Sequence, residues 1–123
     1  MIGCYYRRAG ADGEYEAFDS TDFTRSNWTP DLQHGSPPLA LLTRAVEGLI
    51  TGSRLRIGRL SLEILGPIPV ARVRVRAWVD RPGRRISLLT AEMGASGTDR
   101  MVARLTAWAL ATTDTRDAAT DRH

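Results

Sequence analysis

The chain of 123 residues contains no lysine: all 17 of its basic residues are arginine, and its formal net charge is +3. Such usage is more typical of a GC-rich coding bias than of a physical requirement. The arginines are scattered along the chain, without a cluster interleaved with aromatic side chains that could stack on bases. The composition therefore disfavours nucleic acid as a partner, although two or three arginines would suffice to bind an anionic small ligand.

The chain also has a single cysteine, Cys4, which excludes an internal disulfide framework and favours a reducing, cytoplasmic compartment. Its apolar runs are too short to span a bilayer, and residues 1–10 lack the apolar core of a signal peptide. The sequence shows no metal-ligand spacing of Cys and His, no glycine-rich phosphate loop and no serine nucleophile elbow. We therefore expect neither a metal nor a membrane partner.

One apolar helix dominates the pattern. The segment QHGSPP at residues 33–38 leads into a run whose leucines and valine recur at helical spacing, to about residue 50. Ser36 is predicted to be the N-cap, with Pro37 at the first helical position, where its missing N–H costs nothing. Because apolar residues cover nearly all sides of this helix, we expect it to be buried.

The remaining segments predict strands. Residues 1–13 read as irregular, residues 14–23 as a first strand, and four longer runs follow the helix at residues 57–65, 70–80, 86–95 and 101–111. The run at residues 86–95 is apolar on both faces, which predicts a strand that is covered on both sides. One helix against such an antiparallel meander is an α+β layer architecture. The length predicts one domain over residues 1–112 and a disordered polar tail over residues 113–123.

This order of elements resembles the hotdog fold, in which one long central helix is wrapped by a curved antiparallel sheet, here of about five strands. The sequence is also similar to the N-terminal hotdog of type II acyl-CoA thioesterases, in their actinobacterial branch. The stretches that carry the resemblance are Trp28 with Pro30, QHGSPP at residues 33–38, RLSLE at 59–63 with GPIP at 66–69, RPGRR at 81–85, and VAR at 102–104 with Ala107 and Trp108.

The resemblance implies hydrolysis of acyl-CoA or acyl-carrier-protein thioesters, with coenzyme A entering only as part of the substrate and no other cofactor. In that family a chain usually carries two hotdogs in tandem, and the catalytic Asp lies in the second. No residue of this chain can inherit that Asp. A single hotdog is therefore expected to form a homodimer or a higher hotdog oligomer, or to pair with a separately encoded partner, with the acyl pocket between protomers.

The start of the helix is the first candidate for catalysis. Free N–H groups at a helix N-terminus carry partial positive charge and suit a developing oxyanion. Gly35 lets its N–H approach a thioester oxygen closely because no Cβ is present, and because Pro37 and Pro38 have no N–H, the other possible donors are Ser36 and Leu39. His34 stands just before this helix and could orient water, act as a base or contact the carbonyl; a backbone-bonded loop histidine is the structural alternative.

Glu47 is a carboxylate on an otherwise apolar helix and needs a reason to be there. It either pairs with Arg44 at the i, i+3 spacing or acts as a catalytic carboxylate across the pocket from His34. Hotdog dehydratases resemble this order of His and then Glu, and some hotdog thioesterases use a helix Glu.

Five residues are predicted to contact the substrate: Trp28, Gln33, Ser36, Arg84 and Arg85. Trp28 could instead anchor the loop ahead of the helix. The arginines at 84 and 85, with an outward stripe at Arg72, Arg74 and Arg76, either form solvated surfaces or bind the phosphates of coenzyme A, for which arginine is well suited.

The sequence thus leaves three functions open. The first is a dimeric thioesterase in which His34, the Gly35 N–H and Glu47 act on the thioester. The second is a non-catalytic hotdog that binds acyl-CoA or serves as a structural half. The third is a dehydratase or hydratase that uses the same His and Glu.

Overall fold

The structure is a computed structural model, and it describes residues 5–12, 14–21, 24 and 35–112. The described residues form one sheet of six strands and one helix, in the order β1 (Tyr6–Asp12), β2 (Tyr15–Ser20), α1 (Ser36–Leu49), β3 (Leu55–Ile64), β4 (Arg72–Arg81), β5 (Ile86–Ala95) and β6 (Met101–Ala111). The strands lie in the order β1-β2-β4-β5-β6-β3, and every neighbouring pair is antiparallel. Strands β1 and β3 are therefore the two edges of the sheet.

This architecture confirms the α+β class and the hotdog fold, with six strands in place of about five. The additional strand is β1, in a segment predicted to be irregular. A bulge between Arg8 and Gly10 interrupts its pairing with β2, and Gly10 has a φ of 116°. The bulge breaks the period of two by which a strand is recognised in sequence. The predicted tail at residues 113–123 lies outside the described residues.

The helix begins one residue earlier than predicted. Gly35 is the N-cap, with helical dihedral angles (φ −75°, ψ −27°), and there is no side-chain capping bond. The prediction that Ser36 is the N-cap is therefore wrong, because helical backbone already starts at Gly35 and places Ser36 inside the first turn. The carbonyl of Gly35 accepts the first intrahelical bond, from the N–H of Leu39 at 3.3 Å.

The core lies between one face of α1 and the inner face of the sheet. Leu42 and Val46 of the helix are fully buried and face the central strands β4, β5 and β6, where Val73, Leu89, Met93, Leu105 and Ala107 are also fully buried. Burying one such large side chain contributes about 1.5–3 kcal/mol. Buried residues alternate with more exposed ones along β4 and β6, as expected for strands with one face in the core.

The outer face of the sheet holds a buried carboxylate. Glu92 of β5 is 7% exposed, and its two oxygens accept bonds from Arg76 of β4 at 2.9 Å and Arg104 of β6 at 3.4 Å. Thr90, on the same face, is also buried. The prediction that β5 is covered on both faces is thus confirmed, and the covering groups on the outer side are the long side chains of its neighbours.

Candidate active site

The start of α1 offers a small set of backbone donors. Pro37 and Pro38 have no N–H, and the N–H of Leu39 is bonded to the carbonyl of Gly35. The donors that remain for a ligand at this end of the helix are the N–H groups of Gly35 and Ser36. Leu39 is therefore removed from the predicted set. Gly35 is exposed, and no atom lies within 4 Å of the position that a Cβ would occupy, so its backbone can be approached closely.

The predicted pairing of Glu47 with Arg44 is not formed. Both side chains are exposed, and neither takes part in an ion pair within residues 35–112. Arg44 lines a cavity against β2 and β4, together with Leu41 and Gly48, and the i, i+3 spacing that makes the two residues neighbours does not require an ion pair. Glu47 is an exposed carboxylate without an ion pair among the described residues, and its catalytic role stays a prediction.

Glu47 lies on the exposed side of α1, about 60° around the helix from Arg44 at 100° per residue. On the side away from β2, α1 contacts β6 and the edge strand β3. The apolar surface there is open, since Leu60 and Ile64 on the inner face of β3 are 38% and 52% exposed.

Gly35 and Glu47 do not meet within one chain. They are 12 residues apart on a helix, which at 1.5 Å per residue separates them by about 18 Å. One thioester carbonyl cannot contact both. A site that uses both groups on the same carbonyl must therefore take them from two chains.

Three of the predicted site residues, Trp28, Gln33 and His34, lie outside the described residues. Ser36 occupies the first turn of α1, and its N–H is one of the two remaining donors. The role of each of these residues stays a prediction.

Arg84 and Arg85 lie at the opposite end of the fold from Gly35. They belong to the connection between β4 and β5, and the carbonyl of Arg85 accepts a bond from the N–H of Ala111 at 2.8 Å. Thr112, the residue after Ala111, donates to the carbonyl of Arg54, and Arg54 follows the C-terminal end of α1 in the chain. Both arginines are exposed and make no ion pair in the described part of the chain. A single chain thus does not bring them to the helix start.

The outward arginine stripe on β4 is occupied by bonds within the sheet. Arg72 forms a two-bond ion pair with Asp19 at 2.8 and 3.1 Å, which holds the pKa of Asp19 below its usual value. Arg74 donates to the carbonyl of Thr98 at 2.7 Å. The hydrogen bond to Glu92 raises the pKa of Arg76. These contacts favour a structural role for the stripe over binding of phosphates.

No group of three or more His, Cys, Asp or Glu side chains in the described ranges is arranged to hold a metal ion. Nor does any helix there combine the length and the apolarity that crossing a membrane requires.

Comparison with known protein families shows to which family the chain belongs. Residues 24–110 match the model of the acyl-CoA thioesterase N-terminal domain, so the chain belongs to this family. No curated protein matches it. The match includes the helix start, α1 and the four strands that follow.

Solved structures agree with the fold. A mutant of the phenylacetic acid degradation protein PaaI from Thermus thermophilus superposes with a TM-score of 0.71 at 16% identity, over 91% of this chain and 97% of that one. A phenylacetic acid degradation-related protein from Ralstonia eutropha gives 0.69 at 22% identity, over 89% and 85%. The BH2602 protein of Bacillus halodurans, solved with CoA, gives 0.66 at 15% identity, over 79% and 70%.

Proposed function

We propose that this protein hydrolyses acyl-CoA thioesters as a homodimer whose active sites are each built from two chains. Family membership supports the reaction class. The observation that carries the two-chain site is Glu47, which is exposed and has no ion pair within the described residues. The helix start of the same chain lies about 18 Å away from it.

The edge strand β3 is the element through which two copies of the chain would pair. β3 is ten residues long, is unpaired on one side within the described sheet, and has a partly exposed apolar inner row. Such an edge is a template for another strand. Two copies related by a two-fold axis would pair β3 with β3 in antiparallel fashion. Their helices would then lie side by side in opposite directions, with the start of one helix beside the end of the other.

In such a dimer, groups that lie far apart in one chain would come close together across the two-fold axis. Glu47 lies near the end of α1, so Glu47 of one protomer would approach Gly35 of its partner. Both groups would face the seam between the helices, where the exposed apolar side chains Leu39, Leu60 and Ile64 can contact an acyl chain. His34, immediately before Gly35, belongs to the same end of the helix.

The chemistry follows from these groups. The N–H of Gly35 donates to the thioester carbonyl oxygen and stabilises the oxyanion of the tetrahedral intermediate. The carboxylate of Glu47 takes a proton from the attacking water, so that a C–O bond forms at the carbonyl carbon. The C–S bond then breaks, the coenzyme A thiolate leaves and takes up the proton, and the free acid is released. A cytoplasmic location, which the lone cysteine favours, accords with this substrate.

A second function has its own support. The matching family model is described as an N-terminal domain, and in tandem relatives the resemblance places the catalytic Asp in the other half. On this alternative the chain binds acyl-CoA but hydrolyses none, and a partner supplies the acidic residue. Glu47→Gln separates the two functions, because it abolishes turnover in the first and has no turnover to remove in the second.

The test is release of free thiol by the purified chain from acyl-CoAs of short, medium and long acyl chains. We expect Glu47→Gln and His34→Ala each to lower kcat by about 10²–10⁴-fold, the usual contribution of acid–base catalysis. Glu63→Gln, an exposed carboxylate on the outer face of β3, is the matched control and should retain activity.

Mixing the two inactive variants tests the shared site. Heterodimers of His34→Ala with Glu47→Gln contain one site with both residues intact, so activity should return on co-expression. If each variant is inactive and the mixture stays inactive although it forms heterodimers, the two residues do not act across protomers. If the wild-type chain is folded and shows no turnover above His34→Ala, the hydrolytic function is refuted and acyl-CoA binding is measured instead.

A further inference from the structure

A cavity of about 640 Å³ lies between α1 and strands β1, β2 and β4. Its apolar lining consists of Phe18, Leu41, Ala45, Leu49, Val75 and Ala77. The volume is in the range of about 300–1,000 Å³ that holds small ligands. Neither Gly35 nor Glu47 lines this cavity, so it is separate from the site proposed above.

Of the arginines that line the cavity, one has no acidic partner within the described residues. Arg8 is paired with Glu16 at 2.7 Å, and Arg76 with Glu14 at 3.1 Å, so these four rim groups neutralise one another. Arg44 also lines the cavity and has no ion pair within the described residues. A guanidinium beside an apolar floor is suited to a ligand with an apolar body and one anionic head.

We propose that this cavity binds a monocarboxylic acid with an apolar body, with the carboxylate on Arg44 and the body on the floor formed by α1, β2 and β4. The planar guanidinium matches a carboxylate through two parallel bonds. A dianionic phosphate fits less well, because the carboxylates of Glu14 and Glu16 stand on the same rim and would repel its second charge.

The inference stands on the cavity and its charges and does not depend on hydrolysis by this chain. The free acid released from an acyl thioester belongs to the proposed class of ligand. The two sites can be tested apart, since Arg44 lines the cavity and Glu47 does not.

The experiment is isothermal titration of the purified chain with octanoate and, separately, with octanol. Arg44→Gln should weaken octanoate binding by about tenfold, which is the loss of a charge-assisted hydrogen bond. Octanol binding should change less than twofold, because it has no charge for Arg44 to contact. Arg59→Gln, which removes an exposed arginine on the outer face of β3, is the matched control and should leave both affinities unchanged.

Gly48→Leu tests whether the cavity itself is the site. Gly48 lines the cavity, and no atom lies within 4 Å of the position of its Cβ, so a leucine there enters open space. Leucine also favours a helix more than glycine does, so the variant should fold.

Gly48→Leu should abolish binding of both ligands. The proposal is overturned if octanoate shows no saturable binding to the wild-type chain or if Gly48→Leu binds it normally. It is also overturned if Arg44→Gln weakens octanol as much as octanoate.

Discussion

The substitution Gly83→Ala tests the close backbone approach in the connection between β4 and β5. A Cβ on Gly83 would overlap the carbonyl oxygen of Ile86 and lie 3.3 Å from its carbonyl carbon. Both atoms belong to the backbone, so no side-chain rotation can relieve the contact. The same turn is closed by Ser87, which is 4% exposed. Its hydroxyl accepts from the N–H of Gly83 and donates to the Gly83 carbonyl, each at 3.0 Å.

The magnitude follows from two contributions. Overpacking costs about 1–3 kcal/mol, and backbone crowding of this kind belongs at the upper end. Moving the turn also weakens two hydrogen bonds of a buried hydroxyl, each of which contributes about 1 kcal/mol. We therefore expect Gly83→Ala to lower the free energy of unfolding by roughly 3–5 kcal/mol. For a domain near 100 residues, this corresponds to a fall in Tm of about 15–25 °C.

The assay is urea unfolding followed by far-UV circular dichroism, with thermal melts as a second readout. Gly66→Ala is the matched control, because its Cβ would meet no atom within 4 Å. It should stay within about 0.5 kcal/mol of the wild type. Equal stability of the Gly83 and Gly66 variants, with unchanged m-values, would show that the turn does not make the close approach described.

Two further predictions concern ion pairs. Because Arg72 lowers the pKa of Asp19 in the folded state, the contribution of the Asp19 carboxylate is complete at neutral pH and is lost as the pH falls below about 4. Asp19→Asn should therefore be less stable than the wild type in urea at pH 7, and the difference should shrink as the pH is lowered below about 4. A pH-independent difference would contradict this. Glu92→Gln should lower Tm by several degrees because Arg76 and Arg104 lose a buried carboxylate; added salt should not remove the difference, as it would for an exposed pair.

The long elements could be predicted from the sequence because their periodicity is regular. Strands β5 and β6 have the predicted bounds, and α1 differs from the prediction by one residue at each end. The missed strand β1 shows the limit of this reasoning, since a bulge at Gly10 shifts its alternation within seven residues. A pattern that changes phase in so short a segment cannot be distinguished from irregular chain without the partner strand.

For the candidate site, the sequence shows which residues are present and how far apart they are along the chain, but not how their side chains are placed in space. The spacing of Arg44 and Glu47 permits an ion pair, but i, i+3 spacing does not require one, and none forms between them. Twelve residues of helix separate Glu47 by about 18 Å from Gly35, the residue that follows His34 in the sequence. One chain therefore cannot bring them together, and the two-fold pairing of β3 would. An unpaired carboxylate at the end of α1 and free donors at its start become parts of one site only in the proposed dimer.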